Sequence, residues 1–295
     1  LDADLRRMDA LWARTPLLAD VEPCGSRLIQ QFRAAGGAAT LLGALAEGGA
    51  PVDVTTTAGD GRPWGHAVRE APAPREGGVV RPAHDAVLPA PALVAVFGSL
   101  APDGAVIKTA AASPDLLQHT GRAVVFDSYE QMRTRLDDES VEIAPDDVIV
   151  VRGCGPVGVP GMPEWGMAPV PARLVRQGVR DMVRISDGRM SGTSFGTVVL
   201  HVAPESAVGG PLALVEDGDP IRLDVAGRRL DLLVTDAEQD RRRAAPALAP
   251  VTHLRGWPRL YQEHVLQAPQ GCDLDFLTAP TPAARVFRDP VVGRS

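Results

Sequence analysis

The chain is poor in the residues that would tie it to a membrane, a nucleic acid or a disulfide scaffold. Cysteine occurs three times in 295 residues, as Cys24, Cys154 and Cys272, with no CxxC pair. Such spacing argues against a disulfide framework and against a self-contained zinc or iron–sulfur site, and it suits a reducing compartment. No run of 18 apolar residues is present, so no segment reads as a bilayer-spanning helix. The first residues, LDADLRRM, lack the basic and apolar regions of a signal peptide. Net charge is −7, and no window is strongly basic beyond short arginine pairs. Nucleic acid and anionic membranes are therefore poor partners, and a cytoplasmic setting is expected. Lysine occurs once, at Lys108, and every other basic side chain is arginine.

What the chain has in excess is glycine and proline, 30 and 27 residues. Many turns and few long helices follow. Apolar spacing predicts a helix over 2–13 and two short helices within 26–48, broken at Gly36-Gly37. Residues 51–90 read as a linker or irregular crossover. Eight strand-like pieces follow, at 93–98, 105–110, 122–127, 147–153, 181–186, 197–203, 220–225 and 228–234, with a hairpin expected at Gly227. Helices are expected at 129–136, 170–177 and 235–244, with a further amphipathic one in LYQEHVLQA. Eight short strands with turn residues between them predict a β-barrel or mixed β domain carrying peripheral helices. The expected division is 1–85 mostly helical, 86–275 mostly β, and a tail over 276–295. The first part is short of core for an independent domain, and Leu1 opens mid-pattern, so a truncated or processed chain is expected.

Three stretches carry chemistry. RISDGRMSGTSFG, residues 184–196, sets three glycines, three serines and a threonine after a strand. Its N–H groups could form an anion-accepting nest, and Ser191 between Met190 and Gly192 could present a hydroxyl to a cleft. It reads equally as an ordinary hairpin with a solvated turn. GCGPVGVPGMPEWG, residues 153–166, holds the single acid Glu164 on a rigid path, a suitable hard-cation ligand or a plain surface glutamate. In SLAPDGAVIKTAAASP, Lys108 could meet a carboxylate of substrate or protein, or extend into water. His201 and Glu205 flank Pro204, which rules out a helical metal pair and favours structural roles. Trp165 and Trp257 read as core or cleft wall.

GPVGVPGMPEWG, RISDGRMSGTSFG and VLHVAPESAVGGPLALVEDGD, with LAPDGAVIKTAAASP and RRLDLLVTD in the same order, closely resemble the C-terminal half of the dihydroxy-acid and sugar-acid dehydratases. The likeness covers roughly 5–275. MPEWG and LYQEHVLQAPQGCDLDFL look most like the aldonate, arabinonate-type branch. The resemblance implies a mixed α+β fold: a mostly β, swivelling barrel with peripheral helices, preceded by a helical remnant of an N-terminal α/β domain. It implies a lyase of sugar-acid metabolism that removes water from a 2,3-dihydroxy acid to give a 2-keto-3-deoxy acid. On that likeness Ser191 is the base, Glu164 a Mg²⁺ ligand, and Thr193 and Ser194 substrate hydrogen-bond donors. The iron–sulfur cluster, of the [2Fe–2S] kind, and the other Mg²⁺ ligands would come from an N-terminal domain absent here. The three cysteines do not match the cluster motifs, nor Lys108 the family's carbamylated lysine. The chain alone is therefore expected to be inactive, and the full-length enzyme a homodimer or homotetramer. The rival readings are a dihydroxy-acid dehydratase of branched-chain amino-acid synthesis and a non-catalytic barrel fragment.

Overall fold

A computed structural model of the chain describes residues 4–166, 168–244 and 252–278. Residues 279–295, most of the expected tail, lie outside the described residues. Eight strands form one sheet: β1 Val94–Val96, β2 Gly104–Ile107, β3 Gln118–Phe126, β4 Val148–Val151, β5 Arg184–Ser186, β6 Val198–Ala203, β7 Pro220–Asp224 and β8 Arg229–Leu232. Their spatial order is β1-β2-β6-β5-β4-β3-β7-β8. A parallel bridge between Phe97 and Arg229 brings the two edges together, so the sheet is a nearly closed barrel. All eight strands overlap the segments expected from the sequence, although β3 begins earlier than expected, at Gln118, and β2 begins at Gly104.

The middle of the sheet is parallel: β3 with β4, β4 with β5, and β5 with β6. Parallel strands are usually covered on both faces and read as continuous apolar runs. In β4, VIVV, Val148 and Val150 point into the barrel core while Ile149 and Val151 point outward. There they meet Met132, Leu136 and Leu174 of the covering helical segments. β7 is covered on one face only, and Ile221 and Leu223 face inward while Arg222 is exposed. That strict alternation is the half-buried strand pattern. β7 and β8 form the hairpin expected at Gly227.

Eight α-helices are present among the described residues: α1 Leu5–Trp12, α2 Ile29–Ala34, α3 Gly37–Glu47, α4 Trp64–Glu70, α5 Tyr129–Arg135, α6 Ala172–Arg176, α7 Asp236–Arg243 and α8 Gly256–His264. The glycine pair separates α2 from α3 as the sequence suggested, because Gly36 at φ 99° takes a left-handed turn. α4 lies in the stretch expected to be irregular. Leu18, Ala44 and Val80 centre a small separate core beneath α2 and α3.

The hairpin reading of residues 184–196 fails. β5 and β6 are parallel neighbours, so residues 187–197 must carry the chain back along the barrel wall. Such crossovers usually need a dozen or more residues and a helix. This one has neither helix nor slack, and its path is fixed by side chains instead.

Candidate functional site

The loop 187–197 is held at both stems and at its tip. At the first stem Asp187 is buried, and its carboxylate accepts from the N–H groups of Cys154 (2.8 Å), Gly153 (3.2 Å) and Ser206 (3.0 Å) and from the Ser206 hydroxyl. Burial pushes its carboxyl above the usual range. Gly188 donates to Ser186 Oγ and accepts from the His201 N–H. Met190 N–H donates to His201 Nε2 at 3.0 Å. That bond requires a neutral ring, and burial, then the charge of Arg189, hold the His201 imidazole below its ordinary pKa.

At the second stem sits a buried ion pair. Arg184 Nη2 lies 2.7 Å from Asp181 Oδ1, with both side chains about 5% exposed. Arg184 also donates to the carbonyls of Met182, Ala168 and Phe195. Asp181 accepts from the Thr197 N–H and hydroxyl and from the Ser113 N–H. Burial works to raise the Asp181 carboxyl, but Thr197 and the Arg184 charge hold it below its usual value. Gly196 at φ 86° passes so close that a Cβ would strike the guanidinium and Asp181.

Between the stems, Ser191 begins a tight turn. Its N–H donates to Ser194 Oγ (3.0 Å), and the Ser194 N–H donates to its carbonyl (3.2 Å). Its hydroxyl accepts from the Thr193 N–H at 3.1 Å and lies 2.9 Å from the Thr193 hydroxyl. Ser194 is buried, with its oxygen engaged inside the turn, while Thr193 is exposed. Lys108, just beyond β2, donates from below to the carbonyls of Gly192 (3.0 Å), Ser191 (3.3 Å) and Ser194 (3.4 Å). Among the described residues its partners are backbone carbonyls and no carboxylate of the protein, and it is half-buried, not extended into water.

The tip of the loop forms one wall of a cleft of about 710 Å³. Gly192, Thr193 and Phe195 stand on one side, and Glu22, Pro23, Gly25, Leu28 and Ile29 on the other. Glu164 reaches the loop through Arg189, which sits 3.0 Å from it while donating to the Met162 carbonyl. The Glu164 side chain is 47% exposed. The structure thus brings Ser191, Thr193 and Ser194 into one turn and joins Glu164 to the same loop.

Among the described residues no three His, Cys, Asp or Glu side chains gather to hold a metal. Cys154 is buried, its thiol pushed up to about 12 by burial and by Asp187. Cys272 packs against Met162, and all three cysteines are free. They do not fit a cluster, and Glu164 alone does not make a divalent-ion site. His201 and Glu205 hold backbone: the Glu205 carboxylate accepts from the N–H groups of Val157 and Gly158 and from Gln267. Trp165 stacks on Tyr129 at 4.9 Å, whereas Trp257 is largely exposed.

The sequence reading missed Asp181, Arg184, Asp187 and Arg189. A signal was available for the first two, since charges three apart inside the apolar run DMVRIS must pair if the strand is central.

The family model for the dihydroxy-acid/6-phosphogluconate dehydratase C-terminal domain matches residues 78–272. A 6-deoxy-6-sulfo-D-gluconate dehydratase of Pseudomonas putida is 43% identical over 95% of this chain and 48% of its own length. An L-arabonate dehydratase of Azospirillum brasilense is 47% identical over 89% of this chain and 46% of its own. A dihydroxy-acid dehydratase of Thermus thermophilus is 38% identical over 93% and 49%. The chain spans about half the length of the curated relatives it matches.

Proposed function

The chain belongs to the dihydroxy-acid/6-phosphogluconate dehydratase family, and we propose that it is the base-carrying part of a sugar-acid dehydratase. The substrate is a 2,3-dihydroxy aldonate such as arabinonate, and the product a 2-keto-3-deoxy acid. Ser191 takes the C2 proton, the C3 hydroxyl departs with a proton as water, and the enol left behind tautomerises to the ketone. The observation that carries this reading is the Ser191 hydroxyl accepting the Thr193 N–H, in the turn whose next two residues, Gly192 and Thr193, line the cleft. A donor aimed at the oxygen favours its deprotonated form, which a free serine does not reach near neutral pH. Thr193, exposed beside it, contacts substrate, whereas Ser194, expected from the sequence as a second donor, is buried and serves the turn.

Glu164 is the metal ligand of this chain, one member of a set whose other ligands are not gathered around it among the described residues. The Mg²⁺ and the iron–sulfur cluster belong, in this reading, to the portion of the relatives' length that the chain does not span. The higher identity to the sulfogluconate and arabonate enzymes than to the dihydroxy-acid enzyme supports a polyhydroxylated substrate.

The test is turnover of the full-length enzyme, in its homodimeric or homotetrameric state, on arabinonate and on 2,3-dihydroxy-3-methylbutanoate. Preference for the first supports the reading, and preference for the second moves the enzyme to branched-chain synthesis. Ser191→Ala should lower kcat about a thousandfold. The isolated chain should not turn over, and normal rates from it would overturn the division of ligands. A full-length protein inert on both acids would leave a non-catalytic barrel.

A further inference from the structure

One peptide group connects the sole lysine of the chain to the proposed base. Lys108 Nζ donates to the Gly192 carbonyl at 3.0 Å. The N–H of that same Gly192–Thr193 peptide donates to Ser191 Oγ at 3.1 Å. A cation on the carbonyl side of an amide polarises it and makes its N–H a stronger donor, as in any hydrogen-bonded chain at low dielectric. The two remaining ammonium protons go to the carbonyls of Ser191 and Ser194. All three donors are thereby spent on one turn. No carboxylate pairs with Lys108 among the described residues, so its charge is not cancelled locally.

We propose that Lys108 is a positioning residue that acts on the Ser191 oxygen through the Gly192–Thr193 peptide, fixing the turn and easing ionisation of the hydroxyl, so that more of it stands ready as the base. The inference deepens the proposed function and rests on its assignment of Ser191 as the base.

The other charges around the turn do not supply the same effect. Arg189, in the same loop, is engaged by Glu164. His201, on β6, is held neutral beneath Met190. Across the cleft stand Glu22 and the segment bearing Cys24. Burial raises the Cys24 thiol, and the Lys108 charge pulls the other way, so the field of Lys108 already reaches that wall.

The test places a titratable probe at the position, by Ser191→Cys in the full chain. Iodoacetamide alkylation at residue 191 is followed against pH by peptide mass spectrometry, which separates it from the native thiols. Lys108→Met in that background should raise the apparent thiol pKa by about one unit, a roughly tenfold loss of thiolate near neutral pH. Lys108→Arg should stay within about twofold of the parent, because it restores the charge. An unchanged profile in Lys108→Met overturns the proposal. So does Lys108→Arg behaving like Lys108→Met with an unchanged melting temperature. If Lys108→Met does not fold, Lys108→Gln, neutral but still a donor, is read by the same criterion. The measurement needs no substrate, so an enzyme inert on sugar acids would sink the proposed function and leave this result standing.

Discussion

Gly166 and Gly188 touch backbone to backbone: a Cβ on Gly188 would lie 2.7 Å from Gly166 Cα and 2.8 Å from its nitrogen. Gly166 ends the segment that carries Glu164, and Gly188 opens the loop that carries Ser191. The distance between the two candidate functional side chains is therefore set by the absence of a methyl group.

Gly188→Ala should force the two loops apart, since neither neighbouring atom belongs to a side chain that can rotate away. Overpacking of this kind costs about 1–3 kcal/mol. Gly192→Ala is the comparison, because nothing lies within 4 Å of a Cβ there, and a change within about 0.5 kcal/mol is expected. Urea denaturation of both variants checks the contrast.

Asp181→Asn should be among the most damaging single substitutions at the second stem. It leaves the Arg184 guanidinium buried without its counter-charge, a situation that costs about 3–5 kcal/mol. Hydrogen exchange should quicken at the amides of Thr197 and Ser113, which Asp181 now holds. A loss under about 1 kcal/mol in denaturant would contradict the structural role assigned to the pair.

Asp187 gives a pH dependence with a defined sign. Its folded-state carboxyl is raised by burial, so its contribution is full below the usual carboxylate range and is lost as pH rises through the folded value. Glu205, also raised by burial, acts in the same direction. Asn does not titrate, so the destabilisation caused by Asp187→Asn should shrink between about pH 4 and about pH 8. Paired denaturation curves across that range would show it, and a gap that widens with pH would refute it.

The thiols should label in a fixed order. Cys154 is buried with its thiol at about 12, leaving about one molecule in ten thousand as thiolate near pH 8. Cys24 and Cys272 are part-exposed and should react with a thiol reagent first, with Cys154 waiting for unfolding. Mass spectrometry of partially labelled chain reads the order directly.

Strand positions were legible because alternation and β-branched runs such as VIVV are local properties of the chain. Pairing direction was not. The stretch between β5 and β6 is short and rich in glycine and serine, which in most proteins means a hairpin, and nothing local distinguishes it from a tight parallel crossover. α4 escaped for a related reason, since WGHAVRE is barely two turns long and contains a glycine. At the site, the density of small polar residues pointed to Ser191 and its neighbours. The residues that hold the loop did not stand out, because Asp181, Arg184 and Asp187 look solvent-facing until the sheet that buries them exists. Lys108 was noticed for its rarity, yet its partners are backbone carbonyls eighty residues away, which no side-chain pattern reveals.

The return from β5 to β6 without a helix leaves this part of the molecule no tolerance for a change in chain length. One residue more or fewer between Asp187 and Thr197 would slip the turn out from between its two anchored ends and carry Gly192 and Thr193 off the cleft wall. Diversification of such a barrel toward new acids must then come by exchanging side chains on the opposing wall, at positions such as Leu28 and Ile29, while the loop itself keeps a constant count.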